Sequence, residues 1–309
     1  MERHIKLSDI ESEIKAMYEK YKNLDVDGEV DPRLKNVDSN KFGIVVTLPD
    51  GRSVSVGDVD DFSPMGALSR VATFSVHCEQ KLGCDCKKHH DKRGIRTPQG
   101  EKPADLPISA HAVRLVSKIQ PQDDADGKYD VIESMVENMI GSEPMFNDAL
   151  YESMTKTNAA ADVENRLAKA EFTLFDNAPI AIDVCTKLEA LQATTKQFAM
   201  MGATLAADGR NPLSGQYAFD GEIAPKVVAY MAAKGPHHLS KLWLIKSGIP
   251  AMSSFGGTIL GVYPGVMSIA AYSPLVNDDG VSIKAYKAIH HIMKHLDLNV
   301  FDSAKVVID

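Results

Sequence analysis

Two stretches of this chain hold residue types whose spacing could support chemistry. Residues 57–71 read Gly-Asp-Val-Asp-Asp-Phe-Ser-Pro-Met-Gly-Ala-Leu-Ser-Arg-Val. Ser63 before Pro64 is a helix-start signal, because a serine hydroxyl accepts from the free N–H groups of a first turn and proline suits that turn. The expectation is a strand–loop–helix junction with a polar mouth, its helix running from 63 to about 82. Exposed N–H groups at such a start stabilise negative charge on a nucleophile or its intermediate. The second stretch places His77, Cys78, Cys84, Asp85, Cys86, His89 and His90 within fourteen residues. Thiolates and imidazoles this close can hold Zn²⁺ or iron, which makes Cys78, Cys84, Cys86 and His89 candidate ligands. Cys-x-Cys is not the usual Cys-x-x-Cys knuckle and no second half-site follows, so a charged, solvated loop is the competing reading. No cofactor is expected.

The elements that must position these residues follow from periodicity. Residues 7–24 carry Ile10, Ile14, Met17, Tyr18 and Tyr21 at helical spacing. Residues 42–48 are a buried strand, Pro49-Asp50-Gly51 a turn, and 53–56 the returning strand. Residues 83–107 are rich in charge, Gly and Pro, and are expected to form a long loop. Helices are expected near 110–119, 129–140, 148–169, 194–207 and 222–234, with Asp208-Gly209 as a stop. Two strands, 256–263 and 266–272, meet at Pro264-Gly265, and a helix from 282 to 296 closes the chain. Strands at both ends with helices between imply an α+β fold. One antiparallel sheet is formed from both chain termini with flanking helices, plus an inserted helical region. The layout is a single domain: an α/β part of about 1–82 and 243–309, a helical part of about 108–242, and the loop.

Composition narrows the partners. The chain has 309 residues and a net charge of −8 with no large basic block, so nucleic acid and anionic membrane are not expected. No apolar run approaches the ~18 residues needed to span a bilayer. The first residues lead into an amphipathic helix rather than a signal peptide. Four cysteines, three of them close together, do not make a secreted disulfide framework, and a cytoplasmic protein is expected.

Several motifs together resemble the serine-dependent glutaminases, relatives of the serine β-lactamases. Ala199-Met200-Met201-Gly202-Ala203-Thr204-Leu205-Ala206 with Gly209-Arg210-Asn211-Pro212-Leu213-Ser214-Gly215 is similar to that family's helix and Gly-x-x-Pro-x-x-Gly loop. Gly248-Ile249-Pro250-Ala251-Met252-Ser253-Ser254 with Gly256-Gly257 resembles the strand that carries its Lys-Ser-Gly motif, and Ser273-Pro274-Leu275 with Gly280-Val281-Ser282 resembles its ending. The resemblance covers nearly the whole chain. It implies the glutaminase fold, homo-oligomers, and a Ser-x-x-Lys tetrad whose serine attacks the side-chain amide while the lysine takes the proton.

Laid on this chain without a gap, the tetrad falls on Ala67-Leu68-Ser69-Arg70. Ala67 has no oxygen, and arginine stays protonated and cannot act as a base. The Lys-Ser-Gly lysine falls on Met252, with Ser253 retained. The family's tyrosines fall on Cys185, His237 and Val30, and the asparagine of Asn-Ala-Gly-Ala falls on Ser109. The groups holding the substrate's amine and carboxylate fall on Met154 and Ala161, where a one-residue slip would bring Glu152 or Asn158 nearer. A free amino acid with both ends charged needs buried polar partners, and each lost contact costs a few kcal/mol. These departures imply a protein that has lost Ser–Lys glutamine hydrolysis and binds or transforms another small metabolite. Cys185, His237 and Arg70 would carry that chemistry, a thiolate–imidazole pair with an arginine lowering the thiol pKa. Ser109, Ser253 and Ser69 would contact the ligand. The plainer reading makes Cys185 a buried small hydrophobe and His237 a loop histidine. Two alternatives stand beside it: a non-catalytic scaffold or regulatory subunit, and an active glutaminase with an unfamiliar nucleophile such as Ser69, Ser63 or Ser253. A site filled by Met154, Met252 and Phe255 would favour the scaffold.

Overall fold

The computed structural model describes residues 2–34, 36–82, 109–157, 160–169, 174–236 and 239–309. The first part of the chain forms β1 (Glu2–Ile5), α1 (Leu7–Tyr21), β2 (Glu29–Val30), β3 (Gly43–Thr47), β4 (Ser53–Gly57), β5 (Phe62–Pro64) and α2 (Ser69–Glu79). The middle forms α3 (Ala110–Lys118), α4 (Ala125–Ile140), β6 (Met145–Phe146), α5 (Asp148–Thr157), α6 (Ala160–Lys169), α7 (Ala178–Ala190), β7 (Leu191–Thr194), α8 (Thr195–Ala206) and α9 (Ala224–Lys234). The last part forms α10 (Ser240–Ser247), β8 (Ala251–Ser253), β9 (Thr258–Tyr263), β10 (Met267–Tyr272), β11 (Leu275–Val276), α11 (Ile283–His295) and β12 (Lys305–Ile308).

The central sheet is antiparallel, in the order β4-β3-β10-β9-β8, and draws strands from both halves of the chain as expected. Its residues alternate between two cores. Ile44, Val46, Ile259, Ile269 and Ala271 pack with α1, α11 and Trp243. Val45, Met252, Leu260, Val262 and Ala270 pack with the helical region. Both faces are covered, so these strands read as continuous apolar runs rather than alternating ones. Helix α8 lies close on the sheet because it presents Gly202 there. A β-carbon at Gly202 would meet Ser268 Cβ at 2.7 Å and Leu260 Cδ1 at 2.8 Å. The start of α8 is fixed by a capping box, with the Thr194 hydroxyl accepting from Gln197 N–H and the Gln197 side chain accepting from Thr194 N–H.

The structure departs from the sequence reading at the chemistry-bearing junction. Ser63 and Pro64 do not open a helix. They belong to β5, which pairs with β7 (Phe62 opposite Thr194, Pro64 opposite Gln192). The Ser63 hydroxyl is taken by Thr258 Oγ1 at 2.8 Å instead of a helix N–H. A 3₁₀ turn, Gly66–Leu68, follows, and α2 starts at Ser69. Helix α7 falls within the expected helical part but is not one of the helices the periodicity locates. It buries Ala181, Ile182, Val184, Cys185, Leu188 and Ala190, so it shows no amphipathic stripe, and its start signal is the proline in its first turn. The expected helix over 148–169 is two helices, α10 is an addition, and the chain ends meet in a parallel β1–β12 pair. The loop expected over 83–107 lies outside the described residues. Among those described, no helix is long and apolar enough to cross a membrane.

The helical region is tied together by Lys128, whose side chain is fully buried. Its ammonium donates to the Val116 and Ile119 carbonyls at the end of α3 and pairs with Asp176 Oδ2 at 2.9 Å. Cations are favourable at a helix C-terminus, and burial without partners would be far costlier.

Gly66 adopts φ +48°, and a β-carbon there would lie 2.8–3.0 Å from the Phe255 ring and Ser254 Oγ. Gly66→Ala should therefore destabilise by more than about 1 kcal/mol, the usual cost of alanine at positive φ. Chemical denaturation checks this, and an unchanged midpoint would contradict it.

Candidate active site

The start of α2 is clamped to the edge of the sheet. Just past β8, Ser254 Oγ donates to the Pro64 carbonyl at 2.6 Å and accepts from Gly256 N–H at 3.1 Å. With the Ser63–Thr258 bond, this fixes the turn that carries Gly66, Ala67 and Leu68. Ala67 is 7% exposed and its methyl belongs to the core. Ser69 is buried and turns its hydroxyl back onto the Gly66 carbonyl at 2.8 Å, an ordinary local bond for a serine in a first turn.

Arg70, one position on, meets Glu189 of α7, with Nη2–Oε1 at 3.1 Å and side chains 17% and 8% exposed. Burial works against the guanidinium charge, but Glu189 first, then Tyr230 of α9 and Cys185 of α7, outweigh it and hold the Arg70 pKa above its ordinary value. The Arg70 Nε is buried with no hydrogen-bond partner among the described residues. Tyr230 stacks on Phe74 of α2 with ring centroids 4.4 Å apart. Arg33 approaches from the chain after β2, held by Asp31 through Nε–Oδ1 at 2.8 Å and Nη2–Oδ2 at 2.6 Å, and lying over the Phe255 ring at 4.2 Å. Its charge also acts on Glu189.

Cys185 lies within reach of Arg70's field, as expected, but its thiol behaves in the opposite sense. Burial pushes its pKa well above the normal value, the Glu189 charge adds to that, and Arg70 only partly opposes it. Cys185 is a neutral thiol packed in the core, 3% exposed. Met252 faces the helical core from β8, and Met154 packs with Leu150, Ala190 and Phe255. Ser253 is buried, and its hydroxyl has no hydrogen-bond partner among the described residues. Ser109 precedes α3, where its carbonyl accepts from Ala112 and Val113 N–H. A cavity of about 360 Å³ lies beside Phe255, and Asp27, Glu29, Asp31 and Asp278 are among the residues that line it.

His237 lies outside the described residues, as do Cys84, Cys86 and His89. Cys78 is half-buried near the end of α2, its thiol pKa raised by burial. Among the described residues no group of three or more His, Cys, Asp or Glu side chains is placed to hold a metal ion. The sequence reading missed Glu189, Tyr230 and Arg33. Glu189 had one available signal, a carboxylate four residues after Cys185 and hence on the same face of an otherwise apolar helix.

The glutaminase family model matches residues 28–301. The chain belongs to the glutaminase family. It is 31% identical to a glutaminase of Bacteroides fragilis, over 100% of this chain and 99% of that one. A Bacteroides thetaiotaomicron glutaminase is 32% identical over the full length of both. Among solved structures, that of a probable glutaminase, ybaS, superposes with a TM-score of 0.83 at 26% identity, covering 97% of this chain and 100% of the other. A probable glutaminase from Bacillus subtilis complexed with 6-diazo-5-oxo-L-norleucine shares the fold, with a TM-score of 0.78 at 23% identity over 95% and 96% of the two chains. The α+β fold is thus that of the glutaminases.

In this glutaminase-family chain a thiol so buried, with its pKa raised, should resist alkylation. In a Cys84→Ser/Cys86→Ser background treated with iodoacetamide at pH 8, peptide mapping should find Cys185 unmodified in the native state and labelled only on unfolding. Labelling of native Cys185 as fast as a free thiol would overturn this.

Proposed function

We propose that this glutaminase-family chain does not hydrolyse glutamine by the Ser–Lys route and serves as a non-catalytic member of the family, a scaffold or regulatory subunit. One observation carries the reading. At the start of α2, where the resemblance assigns the nucleophile and its base, stand a core methyl group, Ala67, and a guanidinium fastened to Glu189. Arginine keeps its proton, so neither position can activate an oxygen nucleophile. The packing of Met154 with Phe255, and of Met252 into the helical core, supports a filled site. The transformation of another metabolite through Cys185 loses support, because a neutral buried thiol is a poor nucleophile.

A second reading has its own support. The relatives aligned over the whole chain at 31–32% identity are glutaminases, and the comparisons favour glutamine hydrolysis over a change to another metabolite. On that reading the hydroxyl to examine is Ser253, buried and unpartnered beside the sheet edge.

Ammonia release from glutamine separates the two. Background rates are expected, and a turnover near ~1 per second, ordinary for an enzyme, would establish the second reading. The double change Ala67→Ser with Arg70→Lys should also stay at background, since Glu189 would hold the new lysine as an ion pair and the substrate-holding positions would still be changed. Substantial recovery would show that those positions were misassigned.

A further inference from the structure

Glu189 reaches Arg70 in a way that leaves the guanidinium half used. Arginine offers a fork of parallel N–H groups that matches a carboxylate through two bonds. Here Glu189 Oε1 meets Nη2 alone, while the neighbouring Nε is buried and has no hydrogen-bond partner among the described residues. Glu189 cannot shift freely to improve the match, because it sits in the last turn of α7, whose neighbours Leu188 and Ala190 are locked in the core. Arg33 lies close enough for its charge to act on the same carboxylate, while its own fork is spent on Asp31. The place is thus built for an anion, with one guanidinium edge open.

We propose that the position held by Glu189 is a small-carboxylate site that the chain occupies with its own side chain, so that the Glu189 carboxylate acts as an internal ligand and excludes an external one. This rests on the reading of the site as filled rather than hydrolytic, and it names what fills it. A free carboxylate in that place would engage Nε and Nη2 of Arg70 together.

The test vacates the position and offers acetate. Glu189→Ala should unfold several degrees below wild type in sodium chloride. In sodium acetate at equal ionic strength its Tm should rise with the logarithm of acetate concentration, as mass action requires for a ligand bound by the folded state. Wild type should show no difference between the two salts. Glu189→Gln, which keeps the volume filled, should gain little from acetate, and Glu189→Ala with Arg70→Met should gain nothing. No acetate-specific rise in Glu189→Ala, or an equal rise in wild type, would overturn the proposal. Should Glu189→Ala fail to fold in chloride, its refolding yield becomes the readout: rescue by acetate supports the site, and equal failure in both salts rejects it. The ammonia assay is independent. An acetate-responsive variant of a protein that proves hydrolytic would leave the site standing and remove the filled-site reading.

Discussion

A part-buried guanidinium at the start of α2 constrains everything near it. A lysine in a desolvated place can shed its proton and become neutral, whereas an arginine cannot. Arg70 therefore requires an anion within bonding distance, and α7 supplies it as Glu189 at 3.1 Å. Removing one partner of a fully buried pair typically costs about 3–5 kcal/mol, because the other charge is left without compensation; with Arg70 17% exposed, the cost here is smaller. The two residues behave as one unit, and the packing of α7 against the 3₁₀ turn is tied to that unit. The clamp made by Ser254 on Pro64, with Phe255 over Gly66, fixes the turn from the sheet side. Arg33 closes the remaining side by stacking on Phe255 while Asp31 neutralises it. Asp31 and Glu189 face the two arginines, while Lys234 of α9 lies close enough for the Arg70 charge, after burial, to lower its pKa.

Much of the fold was legible because its signals are local. The apolar runs of β3, β9 and β10, the turns at Asp50-Gly51 and Pro264-Gly265, and the amphipathic faces of α1 and α11 each announce themselves within a few residues. What escaped was decided by distant partners. Ser63-Pro64 is a sound helix-start signal taken alone, yet β7 lies alongside and the strand pairing wins, with Thr258 claiming the hydroxyl. Helix α7 escaped for a different reason. It is buried on nearly every side, so the periodicity that marks a surface helix is absent.

At the site, sequence and structure speak to different residues. Ala67, Arg70 and Met252 stand out in the sequence because the resemblance implies other groups at those positions. Glu189 replaces nothing that the motif names, so only the three-dimensional pairing reveals it. Cys185 shows the converse. Proximity to an arginine suggests a thiolate, but burial outweighs the arginine and keeps the proton on the sulfur.

Family kinship and site chemistry thus bear on different atoms of the same chain. Identity of 31% over the full length of a glutaminase relates this sequence to a fold, and in this chain residues such as Ile44, Gly202 and Leu260 cover the two faces of its sheet. The hydrolytic step would depend on a handful of positions around α2. Those positions are coupled: a lysine at 70 leaves Glu189 as a buried counter-charge that would hold the ammonium protonated, and a neutral residue at 189 leaves Arg70 unpaired. Arg70→Lys would keep Glu189 as its counter-charge, whereas removing Glu189 leaves Arg70 without its nearest anion. The ion pair therefore makes Arg70 and Glu189 interdependent, and it does so without any change in the sheet that holds them.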